Sequence, residues 1–186
     1  MNISAILIAA VVVLAAGVAI IYNLLVGKRQ MTDNGWADID VQLKRRADLI
    51  PQLVSTVQGY AAHERALFEE VASKRSAALS AGDDPAARGA AEGELSRPVK
   101  RLVALAENYP DLKANQNFLE LQRQLAETED KIEMARRFYN GAVRELNTLV
   151  RSVPSNLVAG ILGFGARDYF EAGDADRVAP TVSTGA

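Results

Sequence analysis

Hydrophobic positions divide the chain into one continuous run followed by periodic ones. Residues 5–22 read AILIAAVVVLAAGVAIIY, 18 positions without a charge, and Leu24-Leu25-Val26 extends the run. Together they reach about the 20 residues a helix needs to cross a bilayer core. A cleaved signal peptide would open with positive charge and carry a shorter apolar stretch of about 7–15 residues. Met1-Asn2-Ile3-Ser4 has no basic side chain. The expectation is an uncleaved N-terminal transmembrane helix, a membrane anchor over residues 1–27.

Past the anchor the pattern turns periodic. Trp36, Leu43, Ile50, Val57, Val71 and Ala78 fall at multiples of seven, and Ile39, Leu53, Tyr60 and Leu67 follow three residues after their partners. This is the spacing of one helix face, not of a strand. Glu64 interrupts one seam position, and Arg46 and Lys74 occupy two others. Pro51 lacks a backbone donor and disfavours helix at Ile50. The pattern predicts a helix near 30–80 with a bend around Pro51. The stretch 80–98, SAGDDPAARGAAEGELSRP, is the best internal boundary. Asp84 before Pro85 is a helix start, the carboxylate capping free N–H groups while proline at the first position loses nothing. A second helix over 85–108 follows, with Leu95, Leu102, Leu105 and Ala106 on its apolar face. Pro98 should kink it or confine its firm part to 99–108, and Tyr109-Pro110-Asp111 ends it.

The third helix carries the cleanest seam: Phe118, Leu121, Leu125, Thr128, Ile132, Ala135, Tyr139, Ala142, Leu146, Leu149 and Val153 alternate steps of three and four. That is the period of a bundle or coiled coil, and Pro154 stops it. With no strand competing, the class is all-α: the transmembrane helix, then an antiparallel bundle of three long helices plus a short C-terminal helix around Tyr169-Phe170. The bundle is expected over 28–172. Residues 173–186, small, polar and aperiodic, read as a disordered tail. Just before the third seam stand Asn115, Gln116 and Asn117. Asn117 with Glu120 three residues on has the layout of a capping box. Asn115 or Asp111 can cap instead, and the spare amides leave a ligand or partner contact open.

Charge narrows the partners. The 21 basic and 23 acidic side chains leave a net charge of −2, and none precedes Lys28. Without a basic stripe, nucleic acid is not an expected partner. No cysteine is present, which removes disulfides and thiolate chemistry and fits a reducing compartment. Lys28 and Arg29 abut the end of the span, so the positive-inside bias places the following domain in the cytoplasm, with Tyr22 as an interfacial aromatic.

Catalytic patterns are wanting. His63 is the only histidine; His63-Glu64 lacks the second imidazole of a zinc-protease helix, and no nucleophile elbow accompanies it. A di-iron bundle needs two Glu-x-x-His pairs. Glu127, Glu129, Asp130 and Glu133 form an acidic cluster. Glu127–Lys131 and Glu133–Arg137, like Asp40–Lys44 and Glu70–Lys74, are instead i,i+4 pairs of a solvated face. Residues 160–164, GILGF, lack the Lys-Ser/Thr of a phosphate loop and read as a loop whose Ile161, Leu162 and Phe164 cover an end of the bundle. No catalytic, cofactor or metal residue is assigned.

Three stretches in order, WADIDVQLKRRADLIPQLVSTVQGYAAHE (36–64), YPDLKANQNFLELQRQLAETEDKI (109–132) and RRFYNGAVRELNTLVRSVPSNLVAGILGF (136–164), resemble the LemA family of bacterial membrane proteins. Tyr22-Asn23 and Tyr169-Phe170-Glu171 are also similar, so the resemblance covers roughly 22–172. It implies one N-terminal membrane helix carrying a helical bundle, with no enzymatic activity or cofactor established for the family. RRADLIPQLV, with Arg45, Arg46, Asp48 and Pro51, and ANQNF are its hallmarks; Pro98 departs from the continuous second helix usual there. The candidate interaction residues are therefore Arg45, Arg46, Asp48, Asn115, Gln116 and Asn117. The expected function is a non-catalytic scaffold or adaptor of the bacterial plasma (inner) membrane. It is single-pass, in contact with membrane lipid, self-associating as a homo-oligomer, and open to an unidentified membrane protein partner. The alternatives are an accessory subunit of a membrane protease or envelope machine, and a metal-assisted hydrolase using Glu127, Glu129 or Glu133.

Overall fold

The structure is a computed structural model that describes residues 2–171; the expected tail at 173–186 lies outside the described residues. Those residues form six α-helices and a short 3₁₀ turn, with no strand among them: α1 (Ile3–Gln58), α2 (Arg65–Ser80), α3 (Pro85–Leu105), the turn Ala106–Asn108, α4 (Pro110–Lys113), α5 (Gln116–Arg151) and α6 (Ser155–Leu162). The first part of α1 is long and apolar enough to cross a membrane, and almost all of its side chains from residue 3 to residue 20 are exposed. Helix α1 continues from this segment through Gly27 without a break.

The chain forms two compact units. The first contains Met1–Asp40 and Glu133–Tyr169, that is, the beginning of α1, the end of α5, and α6. Its packing is set by close approach. A Cβ at Gly35 would lie 3.0 Å from the Phe138 ring and 3.1 Å from the Tyr139 Cα, so glycine is what lets α5 pass α1 there. The Trp36 and Tyr139 rings lie 5.7 Å apart, inclined at 52°. The Asn147 amide clamps the chain after α6: its Nδ2 donates to the Arg167 carbonyl at 2.9 Å, and its Oδ1 accepts from the Arg167 N–H at 2.8 Å. The Tyr139 hydroxyl donates to the Asp168 carbonyl at 2.8 Å. At the other end of this unit Leu25, Leu146, Val158 and Ala159 form a cluster.

The second unit comprises Val41–Ile132 and, of the described residues beyond, Phe170 and Glu171. Here the end of α1, α2, α3 and the beginning of α5 surround a core that includes Leu53, Val57, Val71, Leu95, Leu102 and Phe118. Full burial of each leucine contributes about 1.5–3 kcal/mol. Helix α2 packs on α3. Their short connection turns on Gly82, whose φ of 71° suits glycine. Asp84 caps α3 as expected, accepting from the Ala86 N–H at 3.1 Å with Pro85 behind it. The backbone of Glu171 crosses α3 at Gly89, where a Cβ would meet its carbonyl oxygen at 2.6 Å.

Both internal prolines are accommodated. Pro51 cannot donate to the Ala47 carbonyl four residues back; the Arg75 Nε of α2 fills that carbonyl at 2.6 Å. Helix continues through Pro51, and what differs from the helix expected near 30–80 is its interruption at 59–64. Pro98 sits buried inside an unbroken α3. The short helix near the C-terminus is α6, whereas Tyr169 and Phe170 are non-helical. Residues 160–162 belong to that helix, with Ile161 83% exposed in place of covering the bundle.

Candidate interaction site

Arg46 lies at a seam position of α1, and its side chain is 4% exposed. Its Nη1 donates to Glu129 Oε1 of α5 at 2.7 Å and to Ser96 Oγ of α3 at 3.1 Å. Its Nη2 donates to the Glu92 carboxylate. Glu92 in turn accepts from Arg88 Nε at 3.0 Å, one turn earlier on α3. Burial weighs most on Arg46 and by itself would lower its pKa. The charges of Glu129 and Glu92, reinforced by their hydrogen bonds, outweigh it and hold the pKa above its ordinary value. Two cations and two carboxylates thus form a balanced cluster tying α1, α3 and α5. Such a cluster ties the three helices together, and Arg46 Nε stays buried without a hydrogen-bond partner.

The sequence placed Arg46 at a seam position and among the interaction candidates, and missed Arg88, Glu92 and Ser96. A signal existed: positions 88, 92, 95, 99 and 102 follow steps of four and three, putting both charges in line with Leu95, Val99 and Leu102. Arg45 and Asp48 are exposed on α1. Asn115 is the cap of α5: its Oδ1 accepts from the Phe118 N–H at 3.0 Å, and its Nδ2 donates to the Tyr60 hydroxyl at 2.9 Å. The cap is therefore Asn115, not Asn117. Gln116 and Asn117 open the helix with their side chains exposed. Arg46 and Asn115 engage different partners.

The acidic stretch is laced with arginine. Arg123 bonds Glu120 through Nη2 at 2.6 Å and also engages Glu127; Arg137 engages Glu133. Glu127 thus pairs toward the N-terminus and not with Lys131. The Arg123 hydrogen bond, helped by Gln124, lowers the Glu120 carboxyl to about 2. Lys74 bonds Glu94 of α3 at 3.2 Å, and that bond holds the Glu94 pKa below its ordinary value. Glu70 is taken by Arg101. The α2 charges predicted to pair within their helix instead clamp α2 to α3. His63 is exposed, and no group of three or more acidic or histidine side chains is placed to hold a metal among the described residues.

Sequence comparison extends over the same elements. Magnetosome protein MamQ 2 and Magnetosome protein MamQ 1 of Paramagnetospirillum magneticum are each 26% identical to the chain over 189 residues, covering 87% of it and 70% of the relative. Magnetosome protein MamQ of Magnetospirillum gryphiswaldense is 24% identical with the same coverage. The profile of the LemA family matches residues 35–183, a span that takes in the Arg46 cluster, the Asn115 cap and α6. By that match across most of its length, the chain belongs to the LemA family.

Proposed function

We propose that the chain is a single-pass, non-catalytic scaffold of a bacterial plasma membrane, holding its helical bundle on the cytoplasmic side and self-associating there. The observation that carries this reading is the use made of the polar groups. The buried charges of Arg46, Arg88 and Glu92 pair with one another across α1 and α3, Asn115 closes a helix end, and Glu120, Glu127 and Glu133 bind arginines of their own helix. The chemistry serves the fold, leaving an anchored surface as the working part. Lys28 and Arg29 beside the span support the cytoplasmic placement. The magnetosome names of the relatives support a role within a larger bacterial structure.

Cross-linking in intact membranes followed by mass spectrometry tests the scaffold. Contacts between copies of this chain are the expected result. One dominant heterologous protein in their place would move the assignment to an accessory subunit of that machine. Protease added to intact spheroplasts should leave the domain beyond Lys28 uncut; digestion without lysis overturns the orientation.

A further inference from the structure

Helix α6 is apolar on two faces. Val158 and Ala159 face inward against Leu25 and Leu146. Leu157 and Ile161, one turn apart on the other side, are 64% and 83% exposed, and Val153 just ahead of the helix is 80% exposed. Large apolar side chains exposed beyond a helix's packed face call for a second apolar cover, from a protein or a membrane. The surrounding sequence agrees: residues 152–166, SVPSNLVAGILGFGA, carry no charge, and Arg151 and Arg167 bracket them.

Its place along α1 says what covers it. At 1.5 Å per residue, a span entering the bilayer at residue 3 uses up the ~30 Å of hydrocarbon near residues 22–23. Leu25 follows by about one further half-turn, at the boundary between acyl chains and headgroups. Leu25 is fully buried in the cluster that holds α6, with Ile21 packed against it. The Phe164 ring meets Tyr22 edge-on, centroids 6.0 Å apart, and a tyrosine is an interfacial residue. Arg29, ~6 Å beyond Leu25 along α1, borders a cleft of about 150 Å³ together with Leu146, Arg167 and residues 163–166. Asp33 reaches both arginines, at 3.2 Å from Arg167 and 3.9 Å from Arg29, so the cleft keeps a net positive edge at the depth of the headgroups.

We propose that α6 is a second membrane contact: an interfacial foot whose Val153, Leu157 and Ile161 enter the lipid beside the span, with Arg29, Arg151 and Arg167 toward anionic headgroups. The occupant of the exposed face is the bilayer itself. Continuity with the apolar surface of the span and the cationic margin argue for lipid over a protein partner. The inference rests on the membrane anchor and not on the scaffold role.

The absence of cysteine makes the test direct. Nitroxide labels at Leu157→Cys and Ile161→Cys are placed in the full chain, reconstituted in nanodiscs of phosphatidylcholine and phosphatidylglycerol. Leu14→Cys in the span and Leu119→Cys on exposed α5 give the lipid and water references. Molecular oxygen concentrates in lipid and a polar nickel complex in water. The expected result is an oxygen-to-nickel accessibility ratio at Leu157 and Ile161 several-fold above that at Leu119 and near that at Leu14. A ratio at the Leu119 level overturns the foot, and protection from both reagents overturns it in favour of a protein covering the face. A lipid ratio at Leu14 alone removes the foot and keeps the anchor; a water ratio at Leu14 removes both. Val153→Cys replaces either variant if its circular dichroism shows lost helix.

Discussion

At Arg46 a guanidinium fills a position that heptad spacing reserves for an apolar side chain, and it is held there by two carboxylates from two other helices. Burying such a group is costly unless it is paired and hydrogen-bonded. Replacing it with a residue of similar volume removes the charge but strands its partner. Arg46→Met is therefore expected to cost about 3–5 kcal/mol, the range for breaking a buried pair, because Glu92 stays buried with one cation fewer. The triple change Arg46→Met, Arg88→Met, Glu92→Leu should recover much of the loss, since apolar packing substitutes for buried ions at little cost. Denaturant unfolding followed by circular dichroism measures both. A wild-type midpoint for Arg46→Met would remove the cluster from the list of fold determinants. Arg46 as an anomaly in the seam was legible in the sequence. Its partners were not, because they sit 46 and 83 residues away and only the packing of α3 and α5 brings them in.

Helix α5 shows where periodicity suffices. Leu125, Thr128, Ile132, Tyr139 and Leu146 are buried as their spacing requires, while Val153, the last member of the same arithmetic, falls beyond the helix and is exposed. Leu125→Ala in the second unit and Leu146→Ala in the first are each expected to cost about 2–5 kcal/mol, as for other buried leucines. Glu127→Ala, on a side chain 45% exposed, should cost under about 0.5 kcal/mol, since an exposed ion pair is worth little. Midpoints of chemical unfolding decide the matter, and seam variants as stable as Glu127→Ala would contradict the burial. Periodicity could not show where one element satisfies another. The rule for Pro51 describes a lost donor correctly, but Arg75, 24 residues on in sequence, supplies the replacement. Glycine at 160 and 163 read as loop. Only Gly163 acts as a stop, its φ of 72° closing α6.

For the whole molecule, the outcome most worth measuring is self-association. Ala5/Ala9 and Ala15/Ala19 give the span small-xxx-small spacings, which let helices approach closely. These alanines are exposed, and nothing lies within 4 Å of a Cβ built at Gly17, so the face is open to another copy. Such spacings are common in apolar helices and carry little weight alone. Confinement adds the stronger term: anchored copies share one layer, so each meets its neighbours at a raised effective concentration, and weak contacts accumulate without any single strong interface. The exposed Arg45 and Asp48, one of each sign on α1, are the side chains expected to make such lateral contacts. The full chain in nanodiscs or mild detergent should therefore show oligomers over a concentration range in which residues 30–186 scatter light as a monomer. Ala15→Leu with Ala19→Leu should shift the full chain toward monomer if the span contributes, and Arg45→Glu should do so if the bundle contributes. Monomers in both preparations at every concentration would end the self-association proposal and leave an anchored adaptor acting through a different partner.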